Sequence, residues 1–514
     1  MNLRYLLAVI ILVISQSAYS SNSNTNIPPQ NQTNSSGSCE VSDSKATLIS
    51  GWSDWAPYEF EKSALSGVEV TGLDIELVRL ITNSLGSDIK FEKDSWTQIV
   101  EDIKTGKKDI TTGATFSKER NKFAYFSTPY RFQEDSIFVL RSANNSLEFD
   151  NIEDFLAKVK AMNFKIGVLD GALHGSDKLN SFINDPLNSD VIIKNPDDIT
   201  NFRSMMKGQI DGFITDKIGG ADIIIKNNAS SIIEEIPLNI KTPISLMLSR
   251  KTISPEFLSK INDQITKLKD NGDYKKIVRE YIYPVFLLAT IGSDWFYYIT
   301  LIGVIAFAMS GVAISARDNM TLFGTFLLAC LPSFGGGLLR DLFGGGAASM
   351  QNATFHICIV LAVVLVGFSF VRILEVFNKD AKKDKLVGSF WKLFLDLTDA
   401  LGHSAFIVTG VTVAIVTKLS PIEVWGPVFA FLVANGGSMF RDLFTNDKQL
   451  SALNGDINAE VSIIWGFIFS IFLKYNADDP DITIISLGVL VVVIGAFLTR
   501  LATIYYKIPN IRFR

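Results

Sequence analysis

GVIAFAMSGVAIS at residues 303–315 and GGGLLRDLF at 335–343 return about a hundred residues later as GHSAFIVTGVTVA at 402–414 and GGSMFRDLF at 436–444. Self-similarity of this kind marks a duplicated structural unit. Around these segments the chain runs in apolar stretches near 296–315, 320–343, 355–376, 390–416, 421–444, 459–474 and 482–505. Each is about long enough to cross a hydrocarbon core as a helix. The spacing predicts two membrane repeats of three spans, over 295–377 and 390–474, and a seventh span over 482–506. An odd number of spans per copy sends the second copy through the membrane in the opposite sense. Charge agrees independently. With the residues before 295 outside, the loop at 378–389 with Lys379, Lys382, Lys383 and Lys385 is cytoplasmic, as the positive-inside bias requires. The carboxyl tail with Lys507, Arg512 and Arg514 falls on the same side, and the acidic loop YNADDPD at 475–481 on the other.

Gly335, Gly336 and Gly337 in one span, and Gly436 and Gly437 in another, each weaken a helix interior by about 1 kcal/mol relative to Ala, so both spans are expected to break or kink there. Arg340 and Arg441 follow the two glycine clusters. An intramembrane Arg is costly unless it faces a cavity or a partner, so these sites are expected to line a polar path. Asp341 and Asp442 are immediate neighbours that point elsewhere on a helix, which leaves Asp399 on another span as the partner by type. The alternative is that the glycines permit close helix packing and the arginines reach toward the headgroups. Ser438 stands where the first copy has its third glycine, so the half-sites are not expected to be equivalent. His356 and His403 read as packing or interfacial residues.

This arrangement resembles the trimeric intracellular cation channel family, some of whose bacterial members are described as putative glycine transporters. The resemblance covers all seven spans and both glycine-arginine motifs. It implies a homotrimer in contact with membrane lipid, each subunit with its own pore for a monovalent, potassium-type cation, lined near 335–340 and 436–441.

The chain before residue 285 is of another kind. FKIGVL at 164–169 and QIDGFIT at 209–215 alternate with amphipathic stretches such as 256–281, an α/β pattern. The segments GLDIEL at 72–77, TGKKDITTGATFSKERNKFAYFSTPY at 105–130, IGVLDG at 166–171, KGQIDGFITD at 207–216 and NGDYKKIVREY at 271–281 resemble the periplasmic solute-binding proteins that capture amino acids, whose fold is shared with the ligand-binding cores of ionotropic glutamate receptors. The resemblance implies two lobes over 45–285, with the chain crossing near 140 and returning near 243, and a ligand clamped between them.

A zwitterion demands a fixed cation for its carboxylate and a fixed anion for its ammonium, and the planar fork of Arg pairs a carboxylate bidentately. Arg120 stands where this family keeps its carboxylate-binding Arg, with Ser117 at the hydroxyl position of the same loop. Thr115 and Gly113 can offer backbone groups, and Asp216 matches the position that pairs the ligand's amino group. Tyr58 and Trp96 are candidates for an aromatic wall, although aromatic residues also serve as lobe packing. Gly171 is followed by Ala172 where the family often has a hydroxyl, so one expected donor is missing. Asp74 and Asp211 read as turn or capping residues. No carboxylate pair or triad singles itself out for catalysis, so an enzyme is not expected.

Residues 1–20 have a positive start at Arg4, an apolar core from Leu6 to Ile14 and a small-residue end at Ala18 to Ser20, the pattern of a secretory signal. Residues 21–44 are rich in Ser, Asn, Gln and Thr and read as a flexible linker. Net charge is −5 and no basic block is present, which argues against nucleic acid as a partner. Cys39, Cys330, Cys358 and the scattered histidines make neither a disulfide framework nor a metal spacing, and no cofactor is expected. The sequence thus points to a multi-pass inner-membrane protein with its binding domain in the periplasm or outside and its carboxyl terminus cytoplasmic. Three functions stay open: a cation channel modulated by an external amino acid, a glycine-like amino-acid transporter, and a sensor whose membrane part only anchors it.

Overall fold

In the computed structural model the described residues are 47–64, 67–142, 147–344, 353–377, 385–445, 457–476, 481–506 and 508. The signal and linker expected over 1–44, and most of the charged loop at 378–389, lie outside them. The first lobe begins with β1 (Thr47–Trp52), β2 (Phe60–Ala64), β3 (Gly67–Thr71), α1 (Leu73–Ser84), β4 (Asp88–Lys93), α2 (Trp96–Thr105) and β5 (Ile110–Thr115). β1 lies parallel between β4 and β5, so α1 and α2 serve as crossovers. Gly72 at the start of α1 has φ 136°, and a Cβ there would meet the Tyr58 carbonyl oxygen at 2.1 Å, so only glycine lets α1 abut that turn.

β6 (Ala124–Phe126) precedes the long strand β7 (Arg131–Leu140), which carries the chain out of this lobe. The second lobe follows as α3 (Ile152–Ala161), β8 (Ile166–Leu169), α4 (Asp177–Asn184), β9 (Ile192–Asn195), α5 (Asp198–Met206), β10 (Gly212–Asp216) and α6 (Lys217–Lys226). β11 (Ile233–Ser249) brings the chain back, pairing antiparallel with β7 from Ile233↔Leu140 to Ile244↔Arg131 and then with β5. The expected crossings near 140 and 243 are therefore two adjacent strands of one sheet, ordered β4-β1-β5-β11-β7-β10-β8-β9. α7 (Pro255–Asp270) and α8 (Asp273–Ile291) complete the domain.

The seven apolar runs become α9 (Asp294–Arg317), α10 (Leu322–Gly344), α11 (Ala353–Phe377), α12 (Lys385–Val416), α13 (Ile422–Leu443), α14 (Asn458–Tyr475) and α15 (Ile482–Tyr505). Among the described residues, Asp294–Arg317, Thr354–Ile373, Asp399–Val416 and Ile482–Tyr505 are long and apolar enough to cross a membrane by length and composition. The copies pack as a reciprocal pair. A Cβ on either Gly303 or Gly402 would lie 2.4 Å from the other's Cα, and Phe307 stacks on Phe406 at 5.6 Å with a 15° interplanar angle. Within the copies, Gly311 abuts Ala329 as Gly410 abuts Ala430. Gly303 aligns with Gly402 and Phe307 with Phe406 in the duplicated sequence, and the Gly311–Ala329 contact corresponds to Gly410–Ala430.

Of the expected break or kink, the break does not occur in either span. α10 is helical through Gly335, Gly336 and Gly337, and α13 through Gly436 and Gly437. The packing alternative accounts for the second cluster: a Cβ on Gly437 would lie 2.7–2.9 Å from backbone atoms of Leu331 and Pro332, so glycine lets α13 close on α10. Away from competing water the backbone hydrogen bonds outweigh the intrinsic weakness of glycine in a helix.

Apolar contacts join the halves unevenly. One continuous core runs from Leu48 and Ile261 in the first lobe through Tyr283 and Phe286 of α8 to Val411, Phe469 and Val489 of α12, α14 and α15. The first copy keeps a separate cluster around Val304, Ala308, Ala329 and Val360. The second lobe has its own core around Ile137, Phe155, Ile166 and Ile214.

Candidate functional site

The cleft between the lobes takes Trp55, Glu59, Trp96, Gly113, Thr115 and Arg120 from one side. Ala172, His174, Asp197, Asp198 and Asp216 close it from the other. Local chemistry positions each group. Ser95 caps α2 by accepting from the Gln98 N–H, which sets Trp96 at the rim. Ser117 Oγ accepts the Arg120 N–H at 3.1 Å and so shapes the turn that aims Arg120 inward. Asp216 ends the fully buried strand β10 and caps α6, its Oδ2 accepting from the Ile218 and Gly219 N–H groups at 3.1 and 2.9 Å.

Arg120 is 7% exposed, and its guanidinium donates to the Thr115 carbonyl at 3.1 Å and across the cleft to the Gly171 carbonyl at 2.8 Å. Trp96 Nε1 donates to the same Gly171 oxygen at 3.2 Å, and its ring lies 5.4 Å from the Arg120 guanidinium carbon. Among the described residues no carboxylate pairs with Arg120. Burial pushes its pKa down to about 10, so it stays cationic at neutral pH. Burial also raises Asp216 and Asp198 to about 6, against the nearby Arg131 charge for Asp216 and the Thr215 hydroxyl for Asp198. Glu59 goes further, to about 8, through burial and then the neighbouring Asp74 charge; its carboxyl is held by the Thr112 hydroxyl and the Ser53 N–H.

The structure brings Trp96, Gly113, Thr115, Arg120 and Asp216 to the cleft surface. Ser117 and Gly171 act from behind, by holding Arg120. The Gly113 N–H is already committed to the Tyr130 hydroxyl at 3.0 Å. Tyr58 is a correction: it is 1% exposed, its hydroxyl donates to Asp216 Oδ2 at 2.7 Å, and its ring covers the Arg131 guanidinium at 3.7 Å. The wall residue is Trp55, wedged so that a Cβ on Gly113 or Gly219 would approach its ring to 2.9 or 3.0 Å. Sequence reading also passed over Glu59, Asp197 and Asp198, because nothing local separates a cleft carboxylate from a surface one. Asp74 pairs bidentately with buried Arg131 beneath the cleft, and Asp211 accepts the Lys165 N–H at 2.7 Å, both structural.

In the membrane half the expected partner of Arg441 is corrected. Its Nε and one terminal nitrogen donate to Asp442 Oδ1 at 3.1 and 2.9 Å, and the other terminal nitrogen to Ser310 Oγ of the first copy at 3.1 Å. The long side chain folds back to its neighbour, which helix-face spacing alone excludes, while Asp399 is half-buried on α12. The side chain of Arg340 lies outside the described residues. His403 is buried and shares Ser462 Oγ with Asn435 Nδ2, each at 2.8 Å.

Residues 48–284 match the family of bacterial extracellular solute-binding proteins, family 3, and residues 297–372 and 396–474 match the glycine transporter family. The chain fuses a solute-binding domain to a membrane domain. It is 27% identical over 226 residues to the UPF0126 membrane protein YvgT of Bacillus subtilis, covering 42% of this chain and 96% of that one. It is 24% identical over 248 residues to a probable histidine-binding protein of Neisseria gonorrhoeae, covering 46% and 83%. Among solved structures, a substrate binding protein of an amino acid ABC transporter is similar over 46% of this chain and 100% of that one, at 18% identity and a TM-score of 0.39.

Within the fusion, α8 belongs to both halves. It continues past Pro284 to Ile291 without interruption. On the binding side the Tyr281 hydroxyl lies 2.6 Å from Thr71 Oγ1. On the membrane side Arg279 donates to the Lys474 carbonyl at 3.2 Å, Glu280 pairs with Lys418 at 2.6 Å, and Thr290 Oγ1 lies 3.0 Å from Ser486 Oγ.

Proposed function

We propose that the fusion is a membrane cation channel of potassium type whose permeation is set by an amino acid captured in an external cleft. The observation that carries this reading is α8, a single helix whose residues pack into both the first lobe and the second membrane copy. Arg120 supplies a cation for the ligand carboxylate, and Asp216 keeps Oδ1 for its ammonium while Oδ2 caps α6. A ligand that draws the lobes together moves α6 at its capped end, and the first lobe carries α8. The coupling has a known cost: taking a pore from mostly shut to mostly open needs about 10⁴-fold preference of the ligand for one state. In this reading the channel is a homotrimer among membrane lipids, with the cleft in the periplasm or outside, the carboxyl terminus cytoplasmic, and Gly335, Gly336, Gly337, Arg340, Asp399, Gly436, Gly437 and Arg441 along or beside the pore.

The match of the membrane half to a family described as glycine transporters favours a second reading, in which the cleft hands an amino acid to the membrane domain for uptake. The deciding experiment uses the full chain in liposomes, following potassium efflux and labelled amino-acid uptake in parallel. Amino-acid-dependent potassium flux without uptake supports the channel; saturable uptake with no independent ion current replaces it with the transporter. Arg120→Ala is expected to weaken amino-acid binding at least a hundredfold by calorimetry. Undiminished affinity in that variant overturns the assignment of Arg120.

A further inference from the structure

The cleft holds more carboxyl groups than a neutral amino acid can use. A zwitterion takes one cation and one anion, which Arg120 and Asp216 provide. Glu59, Asp197 and Asp198 also line the cleft, and among the described residues none of them has a Lys or Arg within ion-pair distance. Asp54, also at the cleft, is different: it is half exposed and already paired with Lys93 at 2.5 Å. Glu59 is 3% and Asp198 7% exposed, so both are withdrawn from the water that otherwise compensates a carboxylate. Their hydrogen-bond donors are neutral: Ser53 N–H and the Thr112 hydroxyl for Glu59, Asn201 and the Thr215 hydroxyl for Asp198, and the Thr200 N–H at the start of α5 for half-buried Asp197. A buried carboxylate without a cationic partner is costly to ionise and gains when a cation arrives. The groups do not form a metal cage: among the described residues no three His, Cys, Asp or Glu side chains converge as metal ligands. The walls between them are Trp55 and Trp96, which suit an alkyl stem and can face a cation.

We infer that the ligand is an amino acid with a cationic side chain, its α-carboxylate on Arg120, its α-ammonium on Asp216, and its side-chain cation placed in the part of the cleft lined by the carboxyl groups of Glu59, Asp197 and Asp198. This deepens the amino-acid reading and rests on it. Glu59 carries the selectivity in a particular way. It faces the Ser53 N–H, the Thr112 hydroxyl, Asp74 and the Asp74-bound Arg131, and burial holds it largely protonated at neutral pH. A neutral ligand leaves it so, whereas a cation beside it favours ionisation and expels the proton to solvent.

The test is calorimetric titration of the detergent-solubilised full chain with L-lysine, L-arginine and L-norleucine, which is lysine's carbon chain without the terminal amine. Lysine and arginine are expected to bind about a hundredfold or more tighter than norleucine. Glu59→Gln and Asp198→Asn are each expected to narrow that gap by lowering lysine and arginine affinity more than norleucine affinity. In the unmodified protein, titration at pH 7 in two buffers of different ionisation enthalpy is expected to show proton release with lysine and none with norleucine, a readout that does not depend on any variant folding. Norleucine binding as tightly as lysine, or a gap that survives both substitutions, overturns the inference while leaving the amino-acid reading intact. Failure of every amino acid, charged or neutral, to bind sinks the amino-acid reading itself.

Discussion

The two membrane copies share a scaffold and differ in chemistry. Gly303 meets Gly402, Phe307 stacks on Phe406, and the Gly311–Ala329 approach is repeated by Gly410–Ala430. At other aligned positions the copies part: His403 and Asn435 meet at Ser462 in the second copy, where the first has Val304 and Phe334 in an apolar cluster. The second copy also receives the binding domain, through Arg279 on Lys474 and Glu280 on Lys418. The duplication thus preserves the positions where backbones touch, because no side chain fits there. It releases side-chain positions such as those of His403 and Asn435, and the second copy acquires both the polar core and the contact with the binding domain.

The largest expected effect breaks the shared scaffold. Gly303→Leu or Gly402→Leu drives a side chain into the partner backbone and is expected to cost about 3 kcal/mol or more, read as loss of the folded state in a detergent melt. Because the contact is reciprocal the two variants are expected to behave alike; one tolerated and the other not would end the two-fold comparison. Next comes the polar core: Ser462→Ala strips a partner from both His403 and Asn435 and is expected to destabilise by about 1–3 kcal/mol. A neutral result would mean the second copy does not depend on its polar centre.

The binding domain supplies a pH prediction. Glu59, Asp198 and Asp216 have folded pKa values of about 8, 6 and 6, all above their ordinary carboxyl values. The folded state therefore holds more protons than the unfolded state between about pH 4.5 and 8, and stability falls as pH rises through that window. Denaturant melts of the apoprotein at pH 5 and 8 check the sign, and Glu59→Gln is expected to remove most of the slope above pH 6. The smallest effect on stability sharpens the joint. Lys418→Met removes the partly exposed pair with Glu280 and is expected to change stability by at most about 1 kcal/mol. It is also expected to reduce the response of flux to ligand while ligand affinity stays unchanged; unaltered coupling would move the transmission elsewhere along α8.

Much of the architecture was legible because it rests on patterns local in the chain. Run length gave seven helices, the duplicated motifs gave two copies, and the spacing of GLDIEL, TFSKER and IGVLDG anticipated the two lobes with Arg120 between them. Tyr58 and Trp55 show the limit of that reading. They stand three residues apart in the same turn, and which one faces the ligand depends on Asp216 and Arg131, far along the chain, claiming the Tyr58 side chain. The glycine clusters show another: propensity measured in water predicts a break, but packing of α10 against α13 uses glycine as a contact surface.

The sequence by itself determined the division into an α/β binding domain and a helical membrane domain, the repeat and the place of Arg120 in the cleft. Each follows from periodicity, apolar length or residue chemistry carried within a short segment. Only the tertiary structure decided that Arg441 turns back to Asp442, that α8 is common to both halves, and that Glu59, Asp197 and Asp198 share one cleft with Asp216. Burial and charge compensation are properties of what surrounds a side chain, and those surroundings come from segments up to 196 residues apart in the chain.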